Sequence, residues 1–154
     1  MQSKPLISVC MIAYNHQSFI AQAIESILVQ KTNFPFEIVI GDDNSKDDTG
    51  KICESYALKF PGKIRYYRRE KNLGMMPNFI ETLQACDGKY IAICEGDDYW
   101  TDELKLQSQA DFLEKNPDYS LCCHNHYVLT KNKLVPAGSD FNETMRTVKT
   151  EEYL

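Results

Sequence analysis

The segment FEIVIGDDNS, residues 36–45, shows the pattern that decides the fold. It begins with the apolar run FEIVI at residues 36–40, which is continuous rather than alternating. A continuous apolar run of this length predicts a strand that is covered on both faces. The run changes at once into the turn sequence GDDNS, residues 41–45. The segment therefore predicts a buried strand that ends in a cluster of polar groups.

The same change from apolar to polar residues occurs at the end of two other runs. LISVCMIA at residues 6–13 is followed by the polar sequence YNH. YIAIC at residues 90–94 is followed by EGDD at residues 95–98. Each of these runs predicts another buried strand with a polar loop after it. Shorter or later strands are predicted at residues 64–67, 121–129 and 134–135.

Segments with helical spacing of apolar residues separate these runs. The predicted helices cover residues 19–29, 46–60, 77–85 and 102–115. Strands that alternate with helices predict an α/β fold, with a Rossmann-like, mostly parallel sheet flanked by helices. Right-handed crossovers bring the carboxyl ends of the strands to one edge, where ligands bind in such folds. We therefore expect the polar loops to form one site.

Composition excludes several classes of protein. The chain has 154 residues, 43% hydrophobic content and a net charge of −5, which fit one globular domain and argue against a nucleic-acid binder. No apolar stretch approaches the ~20 residues of a membrane span, and residues 1–9 have no signal-peptide pattern. The six cysteines form no CxxC pair, which predicts reduced thiols in a cytoplasmic protein.

The acidic sequence EGDD is the strongest indication of chemistry. Glu95, Asp97 and Asp98 repel one another at the end of a buried strand unless a positive group lies among them. Carboxylate oxygens are the ligands of hard cations such as Mg²⁺ and Mn²⁺, and Mg²⁺ takes only one or two protein carboxylates together with phosphate oxygens. The loop therefore predicts a metal and phosphate site.

The other polar loops can be interpreted in two ways, as parts of a ligand site or as ordinary surface structure. Residues 42–45 could be a ligand-binding loop, or a turn and helix cap in which Ser45 and Asp48 form a capping box. Arg68 and Arg69 could be a phosphate site or a solvated patch. Neither alternative is excluded by the residue types alone.

Several motifs are absent, and one cluster remains. There is no GxGxxG, no Walker GxxxxGK[ST] and no GxSxG, so a nicotinamide enzyme, a P-loop NTPase and an α/β-hydrolase are not expected. The sequence CCHNH at residues 122–126 matches no common zinc spacing. We expect core cysteines and a partly exposed histidine pair there. If the segment is a strand, Cys122, His124 and His126 share one face.

Four segments, in order, resemble glycosyltransferase family 2, a group of inverting enzymes with the GT-A fold. SVCMIAYNHQSFIAQAIESILVQ is similar to that family's first strand, Tyr-Asn turn and helix, and EIVIGDDNSKDDT to its second strand and Asp-Asp loop. REKNLGMMPNF resembles its Asn-x-Gly segment, and GKYIAICEGDDYWTDELKL its strand and DxD-type metal loop. The resemblance covers about residues 6–130.

The resemblance implies a nucleotide-sugar site with the following residues. Tyr14 would line the pocket beside the base, Asp43 would bind the base, usually uracil, and Asp42 would support that loop. Asp97 would lie near the ribose and diphosphate and contribute to the metal site. Asp98 would bind Mn²⁺ or Mg²⁺ directly, with Glu95 supporting. Three further residues would be near the donor: Arg68, Arg69 and Asn72.

The resemblance also implies what this sequence does not contain. The family's catalytic base, an Asp or Glu, lies beyond the metal loop, so the base is expected beyond residue 154. We therefore expect residues 1–154 to be one glycosyltransferase domain that is truncated at its C-terminus. The aromatic residues Tyr99 and Trp100 are expected to pack at the start of the next helix rather than to contact the sugar.

The implied function is metal-dependent transfer of a sugar, with inversion, from a UDP-sugar to a glycan or a lipid-linked acceptor in polysaccharide biosynthesis. Two alternatives stay open: a non-catalytic nucleotide-sugar-binding module, and another metal-dependent nucleotide enzyme such as a nucleotidyltransferase. The second would normally carry a glycine-rich basic loop after the first strand, which residues 14–17 do not have. A lipid-linked acceptor leaves peripheral association with the inner face of a membrane open. The sequence specifies neither the sugar nor the oligomeric state.

Overall fold

The structure, a computed structural model, describes residues 4–130 and 133–136. The chain divides into two compact units, residues 1–108 and 109–154. The strands of the first unit are β1 (Ile7–Ala13), β2 (Phe36–Asp42), β3 (Ile64–Arg68) and β4 (Tyr90–Ile93). Its helices are α1 (Ile20–Leu28), α2 (Thr49–Lys59) and α3 (Met75–Gln84), and α4 (Lys105–Lys115) continues into the second unit.

The four strands of the first unit form one parallel sheet in the order β3-β2-β1-β4. β1 pairs with β2 along its whole length, from Ile7 opposite Phe36 to Ala13 opposite Asp42. The α/β fold and the parallel sheet predicted from the sequence are therefore confirmed. The chain runs from β1 to β2 and β3 on one side and then crosses to β4 on the other. The gap between β1 and β4 is thus the topological switch point, where ligands bind in folds of this kind.

The core lies around the two central strands. All seven residues of β2 are buried, as are six of the seven in β1. α1 contributes the matching apolar face, because residues three and four positions apart lie on one side of a helix. Each buried isoleucine of this face contributes roughly 1.5–3 kcal/mol of hydrophobic free energy. The buried residues of α1 are Ile20, Ala23, Ile24 and Ile27.

β4 departs from the prediction that helices cover both faces of the sheet. Its residues alternate between half-buried and exposed, and Ile91 and Ile93 are 40% and 56% exposed. β4 is at the edge of the sheet, and one of its faces is open to solvent. A continuous apolar run predicts that a strand can be buried on both faces. It does not specify which elements will cover the strand.

The helix boundaries differ from prediction where polar loops compete with the helix. α2 begins at Thr49 instead of residue 46, because the Asp47 carboxylate accepts hydrogen bonds from the backbone of Gln17 and Thr49. α4 begins at Lys105 instead of residue 102, after a turn in which the Asp102 carboxylate accepts from the Leu104 N–H.

α3 begins earlier than predicted, at Met75, and follows Gly74 with a φ of 89°. This backbone conformation favours glycine over all other residues. Pro77 is the third residue of the helix, within the first turn, where its missing N–H costs no internal hydrogen bond.

In the second unit, strands β5 (Tyr127–Thr130) and β6 (Lys133–Pro136) form an antiparallel hairpin. The predicted strand at 121–129 is wrong over its first six residues, which have no regular structure. The idea that Cys122, His124 and His126 share one strand face therefore does not hold. The expectation of core cysteines in this segment is also wrong, because Cys122 is half-buried and Cys123 is exposed. Both histidines are exposed. Both residues of the last predicted strand, 134–135, lie in β6.

No helix in the described part of the chain is long and apolar enough to cross a membrane. The cysteines at positions 10, 53, 86, 94, 122 and 123 form no disulfide in the structure.

Candidate functional site

The loops after β1 and β2 are bonded to each other at the carboxyl edge of the sheet. The Asn15 N–H donates to Ser45 Oγ over 3.0 Å, and the Lys46 N–H donates to Asn15 Oδ1 over 2.8 Å. Asn15 and Asn44 have φ values of 58° and 59°, a left-handed conformation that asparagine tolerates better than most residues. The two asparagines therefore let both chains turn sharply after their strands.

Asp42 supports this edge from inside. It is fully buried, and its Oδ1 accepts hydrogen bonds from the Ser45 N–H and hydroxyl. Its Oδ2 accepts from the Tyr66 hydroxyl over 2.9 Å and lies 3.9 Å from Arg68 Nε. Burial and the hydrogen bond to Asp42 raise the pKa of Tyr66, so the hydroxyl keeps its proton and remains a donor. The capping-box interpretation of Ser45 is wrong, because Ser45 binds Asp42 and α2 begins four residues later.

Asp43, directly after β2, is hydrogen-bonded to the loop before α3. Its carboxylate accepts hydrogen bonds from the Leu73 and Gly74 N–H groups, over 2.7 and 2.9 Å. Its backbone carbonyl accepts from Asn72 Nδ2 over 3.3 Å. Asp43 is only 3% exposed, yet each carboxylate oxygen retains a second lone pair. The structure thus brings Asp43 and Asn72 together, as two of the predicted site residues.

The two arginines at the end of β3, Arg68 and Arg69, have different surroundings. Arg68 is about half exposed and donates to the Ser45 carbonyl over 3.0 Å, so its guanidinium remains available at the edge of the site. Arg69 is directed to α3 instead, where it contacts Asn78, Glu81 and Thr82. Its side chain is only 13% exposed. The solvated-patch interpretation is therefore wrong for Arg69, which holds α3 against the sheet.

The acidic loop, residues 95–98, follows β4 beside the end of β1. The Gly96 N–H donates to the Ile12 carbonyl over 3.0 Å, so pairing with β1 extends past the end of β4. Glu95, Asp97 and Asp98 are all exposed. The carboxylates of Glu95 and Asp98 have no hydrogen-bond or ion-pair partner among the residues that the structure describes. The repulsion predicted from the sequence is relieved in part by exposure to water.

These carboxylates have the oxygen chemistry that a hard divalent cation requires. In the described part of the chain, no group of three or more His, Cys, Asp or Glu side chains is placed to hold a metal ion. By their oxygen chemistry, the exposed carboxylates of the acidic loop fit a cation such as Mg²⁺, which takes one or two protein carboxylates and completes its coordination with ligand oxygens and water.

The β1–α1 loop, residues 14–19, contacts both parts of the site. Asn15 binds Ser45, and His16 Nε2 lies 3.8 Å from Asp97 Oδ2. Tyr14, predicted to line the base pocket, is 43% exposed at the end of β1. No hydrogen bond or ion pair between described residues joins Asp42 or Asp43 directly to the acidic loop. Sequence reasoning gave His16 no role, and only its position directly after Tyr14 and Asn15 could have indicated one.

The aromatic pair after the acidic loop is half-buried. The Trp100 N–H donates to Ser26 Oγ over 3.1 Å, and Lys105 Nζ lies 4.3 Å from the centre of the Trp100 ring. Trp100 thus packs beside α1 and the start of α4, as expected.

A parallel α/β sheet with polar and acidic loops at its carboxyl edge defines a class of fold that binds ligands at that edge. Within that class, the chain belongs to glycosyl transferase family 2, whose family model matches residues 8–152. The family predicted from the sequence is confirmed.

Known proteins of similar sequence cover most of this chain. An uncharacterized protein of Mycobacterium tuberculosis is 42% identical over 118 residues, which are 77% of this chain and 34% of that protein. A Bacillus subtilis protein named for teichuronic acid biosynthesis, the glycosyltransferase TuaG, is 28% identical over 93% of this chain and 58% of its own length. The chain therefore spans only part of the relatives that it matches.

The crystal structure of S. aureus TarS in complex with UDP-GlcNAc has the same fold. It aligns with a TM-score of 0.63 and 29% identity over 72% of this chain and 32% of that chain. The GT-A type of sheet predicted from the sequence is therefore confirmed.

Proposed function

We propose that this chain binds the nucleotide-sugar donor of an inverting, metal-dependent glycosyltransferase. The observation that carries the proposal is the arrangement at the carboxyl edge of the sheet. There, one loop contacts the Asp42–Ser45 turn through Asn15 and the acidic loop through His16. In this proposal, the polar residues on one side of β1 bind the base, and those on the other side bind the diphosphate.

In this proposal the base lies by Tyr14 and Asp43, with Asn72 and Arg68 at the edge of the pocket, and Asp97 lies near the ribose and diphosphate. Asp43 has unused lone pairs that can accept an N–H from a base such as uracil. Asp42 does not contact the ligand; it holds the turn through Ser45 and Tyr66. The complex of TarS with UDP-GlcNAc supports a UDP-sugar as the donor to test first.

The metal would be held by Asp98 and Asp97, with Glu95 in support. The chemistry supplied by bound Mn²⁺ or Mg²⁺ is neutralisation of the charge on the departing nucleoside diphosphate. An acceptor hydroxyl then attacks the anomeric carbon from the opposite face, after a carboxylate base removes its proton. We assign the base to no residue of this sequence. The domain assignment that we propose is one glycosyltransferase domain over residues 1–154.

The acceptor that we propose is a glycan or a lipid-linked saccharide of the cell envelope. The similarity to TuaG, whose name refers to teichuronic acid biosynthesis, supports a polysaccharide product. We place the reaction in the cytoplasm, at the inner face of the membrane when the acceptor is lipid-linked.

Calorimetric titration with UDP tests donor binding and the metal site together. The parent chain should bind UDP more tightly with Mn²⁺ than without it. Asp98→Ala should reduce the affinity measured with Mn²⁺ by roughly ten- to a hundredfold, the scale of losing one charge-assisted contact or ligand. The affinity without metal should stay within about twofold, because Asp98 contacts no part of the Asp43 pocket.

Asp48→Ala is the matched control, since Asp48 is an exposed aspartate whose only described side-chain partner is Lys51. Unchanged UDP affinity in Asp98→Ala at saturating Mn²⁺ would argue against the metal assignment. Sugar turnover by the full-length polypeptide, lost in Asp98→Ala, would exclude the alternative of a non-catalytic binding module.

A further inference from the structure

His16 is held in place by the start of α1. Its backbone carbonyl accepts hydrogen bonds from the Phe19 and Ile20 N–H groups, each over 2.9 Å. The imidazole therefore projects from a short, bonded turn at the end of β1. Its side chain is only 22% exposed, although the neighbouring Tyr14 and Asn15 are exposed residues.

The imidazole packs directly on the backbone of the acidic loop at Gly96. A Cβ atom at Gly96 would lie 2.9 Å from His16 Nδ1, 2.8 Å from Ile20 Cδ1 and 3.1 Å from the Cβ of Ala13. Contacts this short are closer than ordinary van der Waals separation, so the ring occupies the space that only a glycine leaves open. The sequence EGDD thus contains a glycine where the loop must accept this ring.

The two ring nitrogens have different surroundings, and this determines the tautomer. Nδ1 is buried and has no hydrogen-bond partner among the described residues. A proton on Nδ1 would be a buried donor without an acceptor, which costs more than a buried lone pair does. The proton of the neutral ring therefore belongs on Nε2. Nε2 is the nitrogen that lies 3.8 Å from Asp97 Oδ2.

We propose that His16 is a positioning residue that donates its Nε2–H to Asp97 and so aims that carboxylate at the donor's ribose and diphosphate. The distance of 3.8 Å exceeds a hydrogen bond, but the Asp97 side chain is 47% exposed and has room to rotate toward the ring. Hydrogen bonds of this kind are commonly long in the free protein and shorten in the complex. The inference rests on the proposed function, because both assign Asp97 to the nucleotide-sugar donor.

Replacement of His16 separates its hydrogen bond from its packing. His16→Leu keeps an apolar side chain of similar size against Gly96 and Ile20 but removes the donor. His16→Gln keeps an N–H near the position of Nε2. We expect His16→Leu to weaken UDP binding in the presence of Mn²⁺ by roughly three- to tenfold, the effect of losing one hydrogen bond, and His16→Gln to restore most of it.

The readout that a merely structural role would not reproduce is a double-mutant cycle with Asp97→Ala, which removes the acceptor oxygens, measured by calorimetry with UDP and Mn²⁺. In the Asp97→Ala background, His16→Leu should cause no additional loss. His126→Leu, the same change at an exposed histidine, should leave binding unchanged. If His16→Leu does not fold, His16→Asn repeats the test with a side chain too short to reach Asp97.

Two results would overturn the inference. One is a parent-like UDP affinity in His16→Leu. The other is that His16→Leu reduces the UDP affinity equally with and without the Asp97 carboxylate. A parent chain that binds no UDP would contradict the proposed function itself and the inference with it. The two failures are therefore distinguishable from the parent titration.

Discussion

At the scale of single residues, Asp42 and Asp43 show how adjacent carboxylates acquire separate tasks. Asp42 points into the sheet and is bonded to Ser45 and Tyr66, whereas Asp43 binds the backbone of Leu73 and Gly74. The alternation of side chains at the end of a strand produces this difference. The pair could be recognised in the sequence, but their partners could not, since those partners are up to 31 residues away.

Replacement of Asp43 by asparagine should destabilise the folded chain as well as weaken UDP binding. The new amide presents one oxygen and one NH₂ group to two backbone donors, so either Leu73 or Gly74 would face another donor. One unsatisfied buried group of this kind costs about 1–3 kcal/mol. The free energy of unfolding in urea and amide exchange at these two positions would measure the effect.

The control for this variant is Asp48→Asn, the same chemical change at an exposed aspartate. Its ion pair with Lys51 is a surface contact, of the class worth about 0–1 kcal/mol. If the two variants unfold at the same urea concentration, the hydrogen bonds from Leu73 and Gly74 to the Asp43 carboxylate do not contribute to stability.

At the scale of elements, α3 lies directly on β2 because of Gly41. The Asn78 amide donates to the Gly41 carbonyl over 2.9 Å, and a Cβ at this position would lie 1.9 Å from Thr82 Oγ1. Arg69 then joins the end of β3 to the same two α3 residues. The helix periodicity predicted α3, but the polar contact surface between α3 and the sheet was not apparent, because Asn78 and Thr82 are buried polar residues.

Gly41→Ala should therefore displace α3 and destabilise the chain. Adding a methyl group to a packed contact typically costs 1–3 kcal/mol, and the Thr82 overlap places this case at about the upper end of that range. Thermal or urea unfolding would measure the loss. Thr82→Ala removes the closest atom, so the double variant should lose less than the sum of the single changes.

Gly74→Ala provides the comparison at this scale. No atom lies within 4 Å of a Cβ added at Gly74, so the cost there comes from its φ of 89° alone. Thr82→Ala should not reduce that cost. If the losses in unfolding free energy of Gly41→Ala and Thr82→Ala are strictly additive, α3 does not pack against Gly41 through Thr82 as described.

At the scale of the whole molecule, the order of strands explains why the collection of the polar loops at one edge of the sheet could be predicted. Alternating strands and helices imply parallel pairing, and parallel pairing collects the carboxyl ends at one edge. The positions of Asp43 and Arg68 followed from that rule without knowledge of any contact. The orientation of His16 toward Asp97, the open face of β4 and the irregular segment 121–126 did not follow. Each depends on packing between residues distant in sequence, which no local pattern records.

Buried thiols give the chain a dependence on alkaline pH that belongs to the fold as a whole. Cys53 is fully buried in α2, and Cys94 is 2% exposed after β4. Burial first, and then the carboxylates of Asp42 and Asp98, respectively, raise the pKa of each thiol from 9.0 to about 12. The folded chain therefore keeps protons that the unfolded chain releases above pH 9. A folded-state pKa above the unfolded value means stability that is present below pH 9 and lost as the pH rises through about 12.

Each thiol should thus lower the unfolding free energy by about 1.4 kcal/mol at pH 10 relative to pH 7.5. Lys63 has the opposite effect on stability between pH 8 and its ordinary pKa, because burial lowers its pKa to about 8.

A single variant isolates the effect of the thiol from such opposing groups. The cost of Cys53→Ala in urea unfolding under reducing conditions should be smaller at pH 10 than at pH 7.5 by about that amount. Cys123→Ala, at an exposed thiol, should stay within about 0.5 kcal/mol of the parent at both pH values. Equal costs of Cys53→Ala at the two pH values would show that this thiol ionises as readily in the folded chain as in the unfolded one.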